Sequence, residues 1–161
     1  MRSLRAVPLL AATILAHRSP PSAVAFTTDA RAELHRLWSL SLASKTERVA
    51  CLASLIEGDT VRITRVQLLD GAGIDSLAVG AQASLDTCAP PLWQGTVHTH
   101  IALYDGQQPY ARFSGADRGV MQTWGQRWKS QGTFCLLYAE TTVHCELDGP
   151  SGILILPSTT Y

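Results

Sequence analysis

Apolar residues along this chain recur at two different periods, and the alternation between those periods outlines the fold. Between Thr28 and about Ser44, the apolar positions Leu34, Leu37, Trp38 and Leu42 are separated by Arg31, Glu33 and Arg36. That is helical spacing, with Thr28 or Asp29 as the N-cap. Val49–Ile56 (VACLASLI) is a nearly continuous apolar run, as expected of a buried strand. Gly58-Asp59 is a turn, and Val61–Leu69 alternates as the second arm of a hairpin. Gly71–Pro91 is rich in Gly, Ala and Pro and reads mostly as loop, with a short element around Leu77–Leu85. Gly95–Leu103 is a β-branched strand, and Tyr104–Arg112 is a polar loop. Ser114–Lys129 reads as a helix with Val120, Met121, Trp124 and Trp128 on one face. Thr133–Ala139, Val143–Leu147 and Gly152–Leu156 are three further strands. The order of helix, strands, helix and strands predicts a single α/β (α+β) domain, a central mixed β-sheet flanked by helices.

The first residues follow another logic. Arg2 and Arg5 precede an uncharged run, Ala6–Ala16, then a polar, proline-bearing stretch and Ala23-Val24-Ala25. A basic start, a short apolar run and an A-x-A site are the parts of a secretory signal peptide. Residues 1–25 are therefore expected to be a leader cut after Ala25, leaving a domain over 26–161. The expected location is secreted or periplasmic. The whole chain of 161 residues is formally neutral, but the leader holds Arg2, Arg5 and Arg18 and no acid, so the remainder would carry −3.

With 46% hydrophobic residues the chain is too apolar to be disordered. The lack of a basic excess argues against a nucleic-acid partner. No apolar run reaches the roughly 18 residues of a membrane-spanning helix, so no stable membrane anchor is expected. Cys51, Cys88, Cys135 and Cys145 all follow the leader. In an oxidising compartment they can form two disulfides in any of three connectivities; otherwise they are four buried thiols. Cys135 and Cys145 lie on adjacent predicted strands, which makes them a plausible pair. Without a C-x-x-C, neither a zinc knuckle nor a thioredoxin-type site is expected.

The candidate chemistry centres on His98, His100 and Asp117. Val97-His98-Thr99-His100 puts two histidines two apart on a strand, where side chains share a face. Two imidazoles supply two of the three protein ligands of a catalytic zinc site. Ser114-Gly115-Ala116-Asp117 opens the next helix and offers a carboxylate as the third; it is equally a capping box. A general base would be needed beside the metal, and Glu47, at the head of the first strand, is the candidate. Glu57 is a rival, but it adjoins the turn. His144 is expected to be structural, and His35 to be exposed or packed.

This order of a Glu, an apolar strand and hairpin, H-x-H on a strand and S-x-x-D at a helix start resembles the JAB1/MPN/Mov34 metalloenzyme family. Active members of that family carry the JAMM motif: a Glu, then H-[ST]-H-P, then S-x-x-D. Glu47 to Ser54 looks like the opening strand, His98-Thr99-His100 matches the H-[ST]-H, and Ser114 to Asp117 matches the S-x-x-D. The resemblance covers roughly residues 30–147. It implies a JAB1/MPN-like layout, similar to that of cytidine deaminase, and one Zn2+ per chain held by His98, His100 and Asp117. It also implies hydrolysis of a peptide or isopeptide bond in a peptide or protein substrate. Glu47 would be the general base that takes a proton from zinc-activated water, and Ser114 would steady the oxyanion.

Two departures stand out. Ile101 replaces the Pro, and thirteen residues, Ile101–Phe113, separate His100 from Ser114 where about eight are usual in the family. The longer loop either shapes the substrate cleft or is a neutral surface insertion. The alternative to a hydrolase is a non-catalytic MPN-like binding or scaffold module. A zinc deaminase would need H-x-E and P-C-x-x-C, and neither occurs. The sequence leaves the oligomeric state and the physiological substrate open.

Overall fold

A computed structural model describes residues 19–69, 84–101 and 111–161. The chain begins with strand β1 (Ala23–Phe26), helix α1 (Thr28–Ser44), and strands β2 (Val49–Glu57) and β3 (Thr60–Leu68). Strand β4 (Gly95–Thr99), helix α2 (Gly115–Trp128) and strands β5 (Gly132–Leu137), β6 (Thr142–Gly149), β7 (Gly152–Ile155) and β8 (Thr159–Thr160) complete it. The eight strands form one sheet in the order β1-β3-β2-β4-β5-β6-β7, with β8 also pairing with β6. The pairs β1–β3 and β4–β5 are parallel and the others antiparallel. The expected mixed α/β single domain is therefore present. Most of the Gly71–Pro91 segment and most of the loop after His100 (102–110) lie outside the described residues.

Helix α1 starts one residue earlier than its sequence pattern suggested. Thr27, in an extended conformation, is the N-cap, and its Oγ1 accepts from the Ala30 amide at 3.3 Å. Thr28 and Asp29 are already helical; Asp29 in the first turn complements the helix dipole. The buried face is Ala30, Leu34, Leu37, Trp38 and Ser41. Leu42, which the pattern placed on that face, is 52% exposed, because Ser41 occupies the inward position one residue earlier.

The leader reading assigns Ala23, Val24 and Ala25 to a removed segment, yet they are three of the four residues of β1. They pair with Thr60, Val61 and Arg62 of β3, and Phe26 pairs with Ile63. The Phe26 ring lies 6.2 Å from that of the buried C-terminal Tyr161. A cut after Ala25 would remove most of this strand.

Alternation along the strands sorts the core into two layers. Ala50, Leu52, Val97, Cys135, Leu137, Val143, Cys145 and Leu147 pack with the inner face of α1. On the opposite face Phe134 and Leu136 pack with Met121 and Trp124 of α2. The alternation follows from the register, since His98 lies beside Leu136 and Leu136 opposite His144. Both disulfides are formed. Cys135–Cys145 joins directly opposed residues of β5 and β6, and Cys51–Cys88 ties β2 to the segment before β4. Gly95 is required where β4 meets β5, since a Cβ there would lie 1.8 Å from the Thr133 carbonyl oxygen.

Candidate metal centre

Two segments deliver the three predicted ligands. His98 lies near the end of β4, and β4 stops at Thr99, earlier than the expected strand over Gly95–Leu103. His100 is therefore beyond the regular strand, but its amide still donates to the Leu137 carbonyl at 2.8 Å. That bond prolongs the β4–β5 ladder far enough to keep both imidazoles on one face. Their Nε2 atoms are 3.2 Å apart.

Asp117 comes from the first turn of α2. Ser114 is the N-cap, and its Oγ accepts from the Asp117 amide at 3.2 Å. The Asp117 Oδ2 in turn accepts from the Ser114 amide at 2.6 Å. The capping box is formed, and it is compatible with a ligand role, because the same carboxylate closes the helix end and faces the histidines. Its Oδ1 lies 3.3 Å from His98 Nε2 and its Oδ2 lies 3.6 Å from His100 Nε2. One ligand atom from each of the three residues falls within 4.8 Å of the others, so the group can hold a metal ion. Two imidazoles and a carboxylate are a donor set suited to a borderline divalent cation. Burial pushes the Asp117 carboxyl up, but hydrogen bonds from His100, His98 and Ser114 outweigh it and hold the group far below the usual carboxylate range. It is therefore anionic, as a ligand must be.

Glu47 sits in the short segment between α1 and β2, half-buried beside the cluster. Burial pushes its carboxyl up, the charges of His100 and His98 oppose this, and Asp117 adds to it. The segment that carries it is held by a residue to which the sequence pattern assigns no role of its own. Thr99, between the two histidines, turns its side chain to the α1 face, where its Oγ1 lies 2.7 Å from Ser41 Oγ. The same oxygen accepts from the Arg48 amide at 2.9 Å, and the Thr99 amide donates to the Arg48 carbonyl at 3.0 Å. The backbone next to Glu47 is thus pinned to the backbone between the two histidines. The rival Glu57 is at the far end of β2, exposed and paired with Arg62 at 2.5 Å.

His35 is exposed on α1, with its ring 4.9 Å from that of Tyr161. His144 belongs to a second polar group that sequence analysis did not assemble. Its Nε2 is 2.9 Å from Glu146 Oε1, and Glu146 is clasped by both terminal nitrogens of Arg118, the residue after Asp117. The signal in the sequence is the pair His144 and Glu146, two apart on one strand and so on one face of it. Among the described residues no helix is long and apolar enough to cross a membrane. The chain matches no known family model and no curated protein.

Proposed function

We propose that this protein is a zinc-dependent peptidase or isopeptidase of the JAB1/MPN/Mov34 type. The observation that carries the reading is the gathering of His98, His100 and Asp117 within 4.8 Å of one another, with Ser114 bonded to Asp117 and the Glu47 carboxyl feeling the charges of all three. His98, His100 and Asp117 would hold one Zn2+ per chain. A zinc ion there would supply a Lewis acid that polarises a carbonyl and acidifies water. Glu47, kept partly from solvent, accepts a proton from the attacking water and returns it to the departing amine nitrogen. Ser114 uses an oxygen lone pair on the Asp117 amide, which leaves its own O–H to donate to the substrate oxygen as charge develops there.

The substrate is a peptide or protein amide. The two disulfides and the leader-like N-terminus support export to an oxidising compartment. The test is metal content together with turnover of a fluorogenic peptide library and of lysine-linked isopeptides. Purified protein should hold close to one zinc per chain, and His100→Ala should hold none. Glu47→Gln should keep the metal and lose hydrolysis. Full activity in Glu47→Gln would sink the mechanism, and a metal-free wild type would favour the non-catalytic scaffold module.

A further inference from the structure

Helix α2 carries Asp117 on a turn with little grip of its own. Gly115 and Ala116 are exposed, and the first buried apolar residue of the helix is Met121, a full turn after Asp117. Two other side chains anchor this turn to the sheet. Phe113, just before the N-cap, is buried, with its ring 5.6 Å from that of His98 and 5.8 Å from that of His144. Arg118 lies 5.3 Å over the same ring and reaches across to β6. There Arg118 Nη1 donates to Glu146 Oε2, and Nη2 donates to Oε1 at 2.8 Å.

Glu146 is 2% exposed, so this carboxylate has exchanged water for protein donors almost completely. A carboxylate only accepts, so His144 Nε2 carries the proton toward it. On the other side of the ring, His144 Nδ1 lies 3.4 Å from the Ser158 hydroxyl. The arrangement braces Glu146 from both sides. Stability does not explain it, because replacing a buried ion pair by apolar residues of similar volume is often neutral or stabilising. A two-pronged guanidinium–carboxylate contact does fix both distance and angle. It does so one residue from a ligand whose two oxygens must face two different imidazoles.

We infer that the Arg118–Glu146 pair, steadied by His144 and Phe113, is a positioning device that sets where Asp117 stands over His98 and His100. The inference rests on the metal-site reading above. Arg118 and Glu146 are positioning residues, and neither needs to touch metal or substrate.

The test replaces both partners, Arg118→Met with Glu146→Leu, and uses Co2+ as a spectroscopic probe beside Zn2+ competition. The metal-free double variant should melt no lower than metal-free wild type. It should bind Co2+ about tenfold more weakly or worse, with a shifted visible band, the loss typical when support around a ligand is removed. Wild-type affinity and spectrum in the folded double variant would overturn the inference. Arg118→Lys keeps the charge and loses the fork, and it should bind Co2+ severalfold more weakly. Wild-type affinity in Arg118→Lys would overturn the inference even if the double variant fails to fold. A wild type that takes up no Co2+ would overturn the metal reading and this inference with it, which separates the two failures.

Discussion

Along β4, Val97 and Thr99 turn toward α1 while His98 turns toward α2, and that alternation continues across the sheet. On the α1 side the strands meet an almost wholly apolar layer, closed by the Cys135–Cys145 disulfide. Its buried polar groups Ser41 and Thr99 answer each other. On the α2 side the layer is divided. Phe134 and Leu136 pack on Met121 and Trp124, while His98, His144 and Glu146 share the same face beside the first turn of α2. One face spends its burial on holding the fold. The other spends part of it on desolvated charges, each answered by a partner. The same strands serve both because a period of two assigns neighbouring residues to opposite faces.

The contrast breaks most sharply with one substitution on each side. Glu47→Gln should leave melting temperature and metal content near wild type while turnover falls about 10²–10⁴-fold, the usual scale for a lost general base. Leu37→Ala, fully buried on α1, should cost about 2–5 kcal/mol of stability in denaturant unfolding. It should leave metal stoichiometry unchanged in the folded fraction. If Leu37→Ala strips the metal, or Glu47→Gln unfolds the chain, the division of labour is not there.

Thr99 is the seam between the two faces, and a smaller effect is expected from it. Thr99→Val keeps the shape but strands the Ser41 hydroxyl and the Arg48 amide, both bonded to the Thr99 oxygen. Leaving such groups without a partner costs about 1–3 kcal/mol. Turnover should fall with stability, because the pinned segment carries Glu47. A variant with lowered stability and wild-type turnover would show that Glu47 is placed independently of Thr99.

Much of this was readable before any coordinates. Helix α1, the β2–β3 hairpin and the Ser114 start of α2 follow from local periodicity and capping, which are properties of adjacent residues. So does the pair His98 and His100. What stayed hidden depends on distant partners. The pairing of Ala23-Val24-Ala25 with β3 joins residues more than thirty apart, which no local pattern announces. The two residues of β8 carry no pattern of their own. Cys51–Cys88 spans 37 residues, with no spacing rule to choose it over its rivals. The clasp of Arg118 on Glu146 spans 28 residues and needs the register of β6 against α2. Only the spacing of His144 and Glu146, two apart on one strand, hints at it.

That glutamate yields the smallest and sharpest test of the two-face contrast. Burial pushes the Glu146 carboxyl up, but hydrogen bonds from Arg118 and His144 and their charges prevail and lower it below the ordinary value. A carboxyl whose folded value is lowered binds protons more readily in the unfolded chain. Its contribution is therefore complete above the ordinary glutamate value of about 4.3, and is lost as pH falls through the lower folded value. The double variant Arg118→Met with Glu146→Leu has no such contribution to lose. Measured on metal-free protein between about pH 5 and about pH 3, wild type should lose stability relative to that variant. Leu37→Ala, which changes only the apolar face, should keep a constant offset from wild type over the same range. A flat difference for the double variant would mean that Glu146 is no better held as an anion in the fold than in the open chain. In that case the charge on the α2 face would be tolerated rather than organised.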